Sequence, residues 1–221
     1  MTDTIARLRA LDTCAVSDAL DRHGIRGVLT GLAPLAADGQ IAGRAVTVEL
    51  GPPPADTAAA PGRHLGTAAV DASGPGDVIV VAHQGRTDCA GWGGLLSLAA
   101  AARGIDGVII DGAARDLTEA ATVGLAVYAR TPTPVTARGR AVEHAWGETV
   151  EVAGITVAPG DLVLADPGGV VVIPAARADE VLATAETITA TEAVMAQAIG
   201  AGVPVSDVMG KSYEELTDGN Q

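Results

Sequence analysis

Apolar residues recur along this chain in short dense runs punctuated by glycine and proline, and the runs divide into two kinds by period. Residues 45–50, 78–82, 107–111, 125–129, 149–157 and 162–173 carry strand signals. Gly107-Val108-Ile109-Ile110-Asp111-Gly112 is a continuous apolar run bounded by glycines, the pattern of a strand buried on both faces. Thr149 to Val157 alternates on either side of Ala153-Gly154, as a hairpin does. Helical periodicity predicts short helices over 4–11 and 15–23, the second stopped by Gly24, and further helices over 94–103 and 117–123. A longer helix is expected from about Ala178 to Ile199, with Val181, Ala185, Ile188, Met195 and Ile199 on one stripe. Glu192 falls on that stripe. It reads as a solvated gap, or a helix break near Thr189–Thr191, set against a role in a neighbouring subunit's pocket.

The succession helix 94–103, strand 107–111, helix 117–123, strand 125–129 is that of a parallel α/β unit. Pro-Gly-Asp at Pro75 and Pro159 precedes an apolar run each time and serves as turn punctuation. Gly51–Ala60, with three consecutive prolines, reads as a surface loop. At 221 residues and 48% hydrophobic content, the chain suits one α/β domain.

Charge removes several function classes. The net charge is −13, and the arginines are scattered rather than gathered into a stripe that could neutralise phosphates. Two Trp, two Tyr and no Phe leave no stacking platform, so nucleic acid is not an expected partner. Cys14 and Cys89 set no disulfide framework. No long uncharged apolar stretch suggests a membrane span or signal segment, and a cytoplasmic protein is expected. Lys211 is the only lysine, in a polar carboxy-terminal segment. A reaction that needs an electron sink for a carbanion would therefore draw on a divalent metal rather than a lysine Schiff base.

Candidate chemistry concentrates between Trp92 and Glu119. Gly93-Gly94 opens an alanine-rich helix whose free Leu95 and Leu96 amides and positive dipole end suit an anion. Arg115 and Asp116 follow a buried strand, where α/β proteins bind ligands, and Glu119 lies one helical turn on. Each has a structural alternative. Asp116-Leu117-Thr118-Glu119 is also a capping box, Arg115 could be a surface ion-pair partner, and Gly93-Gly94 a tight turn. His23, His64, His83 and His144 show no ligand spacing, so zinc is not indicated. His83 and Asp88, read as part of a loop before Gly93, are weaker candidates for substrate contact, and no nucleotide-binding glycine motif is present.

The order of these motifs resembles the RraA-like family, named for a regulator of ribonuclease E activity. Val16-Ser17-Asp18-Ala19-Leu20, Gly43-Arg44-Ala45-Val46-Thr47-Val48, Gly76-Asp77-Val78, the 92–100 segment, Asp111 to Asp116 and Pro159 to Pro174 carry the resemblance over about residues 11–185. It implies a single-domain α/β/β sandwich of the swivelling β/β/α type over residues 1–185. Residues 186–221 would be a C-terminal helical extension available to a neighbouring subunit, in a homotrimer or dimer of trimers. Enzymatic members cleave 4-hydroxy-4-methyl-2-oxoglutarate to pyruvate and decarboxylate oxaloacetate through a metal-stabilised enolate. The family's metal pattern with glycine at the first position and an acid three residues beyond Arg-Asp matches Gly94, Arg115, Asp116 and Glu119. By resemblance, Arg115 and Asp116 are catalytic, and Gly93, Gly94, Leu95, Leu96 and Arg115 bind a small 2-oxo acid. Asp116 and Glu119 hold Mg²⁺ or Mn²⁺. A metal-bound water, a neighbouring carboxylate or the Ser97 hydroxyl remain alternatives for proton transfer. The rival readings are a non-catalytic protein-binding regulator and a related enolate-forming enzyme with another 2-oxo acid.

Overall fold

Alternation along the strands builds two cores from one sheet. The computed structural model describes residues 2–37, 39–54 and 64–209. Strands β1 (Ala33–Ala36), β2 (Ile41–Gly51), β3 (Asp77–Trp92), β4 (Gly107–Ala114), β5 (Val127–Pro132), β9 (Leu162–Asp166) and β10 (Gly169–Ile173) run in the order β1-β5-β4-β3-β2-β9-β10. β6 (Val142–Trp146) pairs with β2 as the eighth strand. Neighbours among β2, β3, β4 and β5 are parallel, as the helix–strand succession predicts, whereas β1, β6, β9 and β10 add antiparallel pairs.

Successive residues of a strand face opposite ways, so Ile79, Val81, Val108, Ile110, Val127 and Ala129 enter one core while Val78, Val80, Ile109, Tyr128, Val163, Val170 and Val172 enter another. The first core is closed by α3 (Thr67–Ala72), α4 (Gly94–Ala102) and α5 (Leu117–Thr122) through Val70, Leu96 and Ala120. The second receives Val150, Val152, Ile155 and Val157 from the separate hairpin of β7 (Val150–Val152) and β8 (Ile155–Val157). Positive φ at Ala153 and Gly154 gives that hairpin the left-handed turn that matches strand twist. Segment 27–29 hydrogen-bonds to β10 at one sheet edge before the chain enters β1 at the other, so the sheet curls almost into a barrel. With helices on one side and the hairpin on the other, the α/β/β expectation holds.

A third cluster joins α1 (Thr2–Arg9) and α2 (Thr13–Arg22) to the first half of α6 (Ala178–Gly200) over β9 and β10. Val16, Leu20, Val181 and Leu182 are fully buried there, each stabilising by roughly 1.5–3 kcal/mol relative to exposure. A four-residue α7 (Val205–Val208) follows. α6 is continuous through Thr189–Thr191, so the expected break there is absent. Three other expectations change. The 162–173 run is two strands, because Pro167-Gly168 turns the chain between them. The loop placed before Gly93 is strand, with β3 continuing to Trp92 through register shifts around the positive-φ residues Gln84 and Gly85. Gly51 ends β2 rather than opening a loop; residues 55–60 of that proposed loop and Lys211 lie outside the described residues. Among the described residues, no helix is long and apolar enough to cross a membrane.

Candidate active site

β3 and β4 run parallel side by side, and their carboxyl ends deliver Gly93-Gly94 and Arg115-Asp116 to the same place. The Arg115 amide donates to the Trp92 carbonyl at 3.1 Å, fixing one segment against the other. Gly93 is extended and carries no capping side chain, so the amino end of α4 is open. Gly94 N–H donates to Asp116 Oδ2 at 3.0 Å, while the Leu95 and Leu96 amides meet no acceptor among the described residues. These two amides and the helix dipole form an anion cradle.

Asp116 holds the N-cap position of α5, its carbonyl accepting from the Ala120 amide at 3.1 Å, but its side chain does not cap the helix as the sequence suggests. Its backbone is left-handed, with φ 57° and ψ 38°, and its side chain makes no capping bond to α5. Such backbone is uncommon outside glycine, though aspartate tolerates it better than most. The turn aims the carboxylate back across the Gly93-Gly94 backbone. There it accepts from Arg115 Nε at 3.1 and 3.2 Å, leaving both terminal guanidinium nitrogens of Arg115 without a protein partner among the described residues.

The glycines are explained by what rests on them. A Cβ at Gly93 would stand 3.1 Å from Asp116 Oδ2 and 3.3 Å from Arg115 Cγ. At Gly94 it would overlap the Glu119 carboxylate and lie 3.1 Å from Asp116 Cβ. The Glu119 carboxylate thus occupies the volume that a side chain at position 94 would fill, and it has no hydrogen-bond partner among the described residues. This coupling accounts for glycine at 94 accompanying an acid at 119.

Gly93, Gly94, Leu95, Leu96, Arg115 and Asp116 line a cleft of about 260 Å³ with Trp92, Leu65, Ala90, His64 and the 136–138 segment, whereas Glu119 lines an adjoining pocket that shares Gly94 and Leu95 with it. His64, Thr136 and Arg138 are site residues that sequence spacing missed, since they arrive from distant segments with no local motif. The Arg138 guanidinium has no partner among the described residues, which gives the cleft a second free cation. Among the described residues no three His, Cys, Asp or Glu gather as a metal cage. Asp116 and Glu119 are the two carboxylates at hand. An all-oxygen pair with open surroundings fits Mg²⁺ or Mn²⁺, which retain waters and need few protein ligands.

Other candidates are engaged elsewhere. Ser97 is fully buried, accepting from Trp92 Nε1 at 3.0 Å and donating to the Gly93 carbonyl at 3.2 Å, so its hydroxyl braces the turn. His83, on β3, is fully buried, with Nε2 bonded to the Cys89 carbonyl at 3.0 Å. Burial pushes its pKa down, which keeps the ring neutral. Asp88 is held below the usual carboxylate range by its hydrogen bonds from Arg86, and neither residue lines the cleft. Glu192 lies outside the cleft too. Burial and the Asp12 and Asp18 carboxylates push its pKa up.

The likeness to known proteins is consistent along the chain. A model of the RraA-like family, described as Aldolase/RraA, matches residues 13–172. Protein DlpA of Legionella pneumophila is 30% identical over 202 residues, covering 91% of this chain; the chain spans about a third of DlpA, 32% of its length. A Halalkalibacterium halodurans protein named "Putative 4-hydroxy-4-methyl-2-oxoglutarate aldolase" is 29% identical over 91% of this chain and 90% of its own. The crystal structure of Streptomyces coelicolor RraAS2, described as an unusual member of the RNase ES inhibitor RraA protein family, superposes with a TM-score of 0.78. It is 26% identical and covers 88% of this chain and 96% of that one.

Proposed function

This chain belongs to the RraA-like family, and from that premise we propose that it is a divalent-metal-dependent carbon–carbon lyase. Its substrate would be 4-hydroxy-4-methyl-2-oxoglutarate or a related 4-hydroxy-2-oxo acid, cleaved to pyruvate, with oxaloacetate decarboxylation at the same site. The observation that carries this reading is the meeting of the Asp116 and Glu119 side chains on the bare Gly94 backbone, beside two free amides and Arg115.

In this reading the Leu95 and Leu96 amides bind the carboxylate next to the keto carbon. The free guanidinium nitrogens of Arg115 take the carboxylate or keto oxygen in a planar fork, and Asp116 keeps that fork in place through Nε. Asp116 and Glu119 would hold the cation, Glu119 directly or through water. Bound there, a divalent cation supplies a Lewis acid for the keto group and offsets charge as an enolate develops. Arg138 suits a substrate with a second carboxylate, and Leu65, Ala90 and Trp92 give the cleft an apolar wall. Both reactions break the bond between C3 and C4 and leave the same enolate, so one site serves both. The protein would work in the cytoplasm as a homotrimer or dimer of trimers, with neither nucleic acid nor membrane as partner.

Pyruvate release tests the proposal. Turnover of oxaloacetate and of a panel of 4-hydroxy-2-oxo acids should vanish with a chelator and return with Mg²⁺ or Mn²⁺. Undiminished turnover in chelator defeats the metal role, and pyruvate from no substrate defeats the lyase reading. The likeness to RraAS2 favours one rival, a regulator that engages a basic region of a ribonuclease through its acidic surface. Binding to such a partner by a catalytically inert protein would establish that rival.

A further inference from the structure

Cleavage of a 4-hydroxy-2-oxo acid needs something that decarboxylation of oxaloacetate does not. As the C3–C4 bond breaks, the C4 hydroxyl must lose its proton so that its oxygen can become a carbonyl. In oxaloacetate the departing group is a carboxylate that leaves as CO₂, with no hydroxyl proton to remove. A base in the cleft would therefore serve one reaction and be dispensable for the departure step of the other.

The cleft holds few groups able to do this. Ser97 is buried with its hydroxyl proton already donated to Gly93, and Thr136 is a neutral hydroxyl whose oxygen accepts from the Arg138 amide at 3.2 Å. Arg115 and Arg138 stay protonated. Asp116 is occupied by Arg115 and the Gly94 amide. His64 remains.

We propose that His64 is the general base that takes the C4 hydroxyl proton in the cleavage reaction, an assignment that rests on the lyase reading above. Its Nδ1 lies 3.1 Å from the Leu65 carbonyl, which can only accept, so the neutral ring carries its proton on Nδ1. Nε2 is left with a lone pair, and no protein group among the described residues uses it. The other histidines differ. His83 Nε2 bonds the Cys89 carbonyl, His144 Nε2 bonds the Pro52 carbonyl, and His23 meets Thr184 and Glu180 far from the cleft lining.

The backbone that carries His64 is also fixed. Its carbonyl accepts from Thr67 Oγ1 at 2.7 Å, and the Gly66 amide donates to Glu143 Oε2 at 2.6 Å. Leu65 between them is buried against the first core. The ring is thus exposed to solvent and the cleft on an anchored turn, an arrangement a proton-transfer group needs and a packing residue does not. In the proposed step, Nε2 takes the hydroxyl proton and the O–H pair becomes the second bond of the C4 carbonyl. The C3–C4 pair passes into the enolate, C3 is then protonated, and two ketones leave. The proton on Nε2 returns to C3 or to solvent, so the balance closes with no added reactant.

His64→Gln and His64→Ala, assayed on both substrates with Mg²⁺ or Mn²⁺ present, decide the matter. General-base removal should lower kcat for 4-hydroxy-4-methyl-2-oxoglutarate cleavage by about a hundredfold or more, with oxaloacetate decarboxylation changed by less than about threefold. Added imidazole should restore part of the cleavage in His64→Ala. Equal loss of both activities in folded variants, or cleavage at the wild-type rate, overturns the assignment while leaving the lyase reading standing. A wild-type protein with neither activity overturns both.

Discussion

Two Arg–Asp pairs involve β4, one from within the strand and one just past its carboxyl end, and the contrast between them separates structure from chemistry. Asp111 pairs with Arg130 of β5 at 2.5 Å, and its second oxygen accepts from the Ala153 amide at 2.9 Å. The Asp111 side chain is 6% exposed, so its lone pairs are consumed where water cannot replace the partners. Arg115 and Asp116 make the same kind of contact at 3.1 Å, but with the two side chains 36% and 30% exposed. Asp116 leans on glycine backbone and keeps an open side, while Arg115, like Arg130, spends only Nε. Identical functional groups five residues apart are a fastener in one case and a reactive arrangement in the other, and the difference is how much of their bonding capacity the fold uses.

Exchanging the outcomes of the two carboxylates is the strongest test of this contrast. Asp111→Ala should destabilise the fold by about 3 kcal/mol, because it removes the buried end of an ion pair and leaves the Arg130 guanidinium and the Ala153 amide without their acceptor. Asp116→Asn should shift stability by less than about 1 kcal/mol, as expected of a half-exposed pair. Its metal-supported turnover should fall by about a thousandfold. Urea unfolding and steady-state kinetics on both variants measure the two axes. A destabilised Asp116 variant with normal turnover per folded molecule would make that pair a second fastener and remove it from the site.

The guanidinium side of the contrast is the next largest effect. Arg115→Lys keeps the charge but not the fork, so it should fold normally and lose about 2.5 kcal/mol of transition-state stabilisation, slightly less than removal of a whole preorganised donor. The loss should appear in kcat as well as KM, since charge develops at the keto oxygen during the reaction. A KM effect alone would confine Arg115 to ground-state binding. Wild-type kinetics in a folded Arg115→Lys protein would place the residue outside the site.

Local pattern made some of this legible and topology kept the rest hidden. The continuous apolar run of β4 and the glycine turn before α4 are strong signals, because strand alternation and an uncapped helix start leave marks within a few residues. The 83–92 half of β3 leaves none: His83, Gln84, Gly85 and Arg86 break the alternation, and strand pairing persists only through irregular register with β4. β1, β6 and α3 are too short or too polar to announce themselves. Asp116 shows a different limit. Its sequence favours a capping box, yet the left-handed backbone turns the carboxylate toward Gly94 instead, a choice set by the neighbouring β3 end. His64 and Arg138 join the cleft from segments dozens of residues away, where spacing carries no information.

The smallest expected effect concerns how positions 94 and 119 share one volume. The Glu119 carboxylate lies where a Cβ at Gly94 would be, so only one of the two positions can place a side chain there. Glu119→Ala should lower turnover at limiting metal by about tenfold, the cost typical of a group that supports a metal from its outer shell. Gly94→Asp alone should be worse than Glu119→Ala, because the new side chain collides with Glu119 and displaces Asp116, whose Cβ would be 3.1 Å from the added atom. Combining the two changes removes the collision and returns a carboxylate to the same space from the other strand end. Turnover in the double variant should therefore exceed that of either single variant when metal is titrated. Strictly additive losses would mean that positions 94 and 119 act independently and that the overlap of their side-chain volumes has no bearing on the metal.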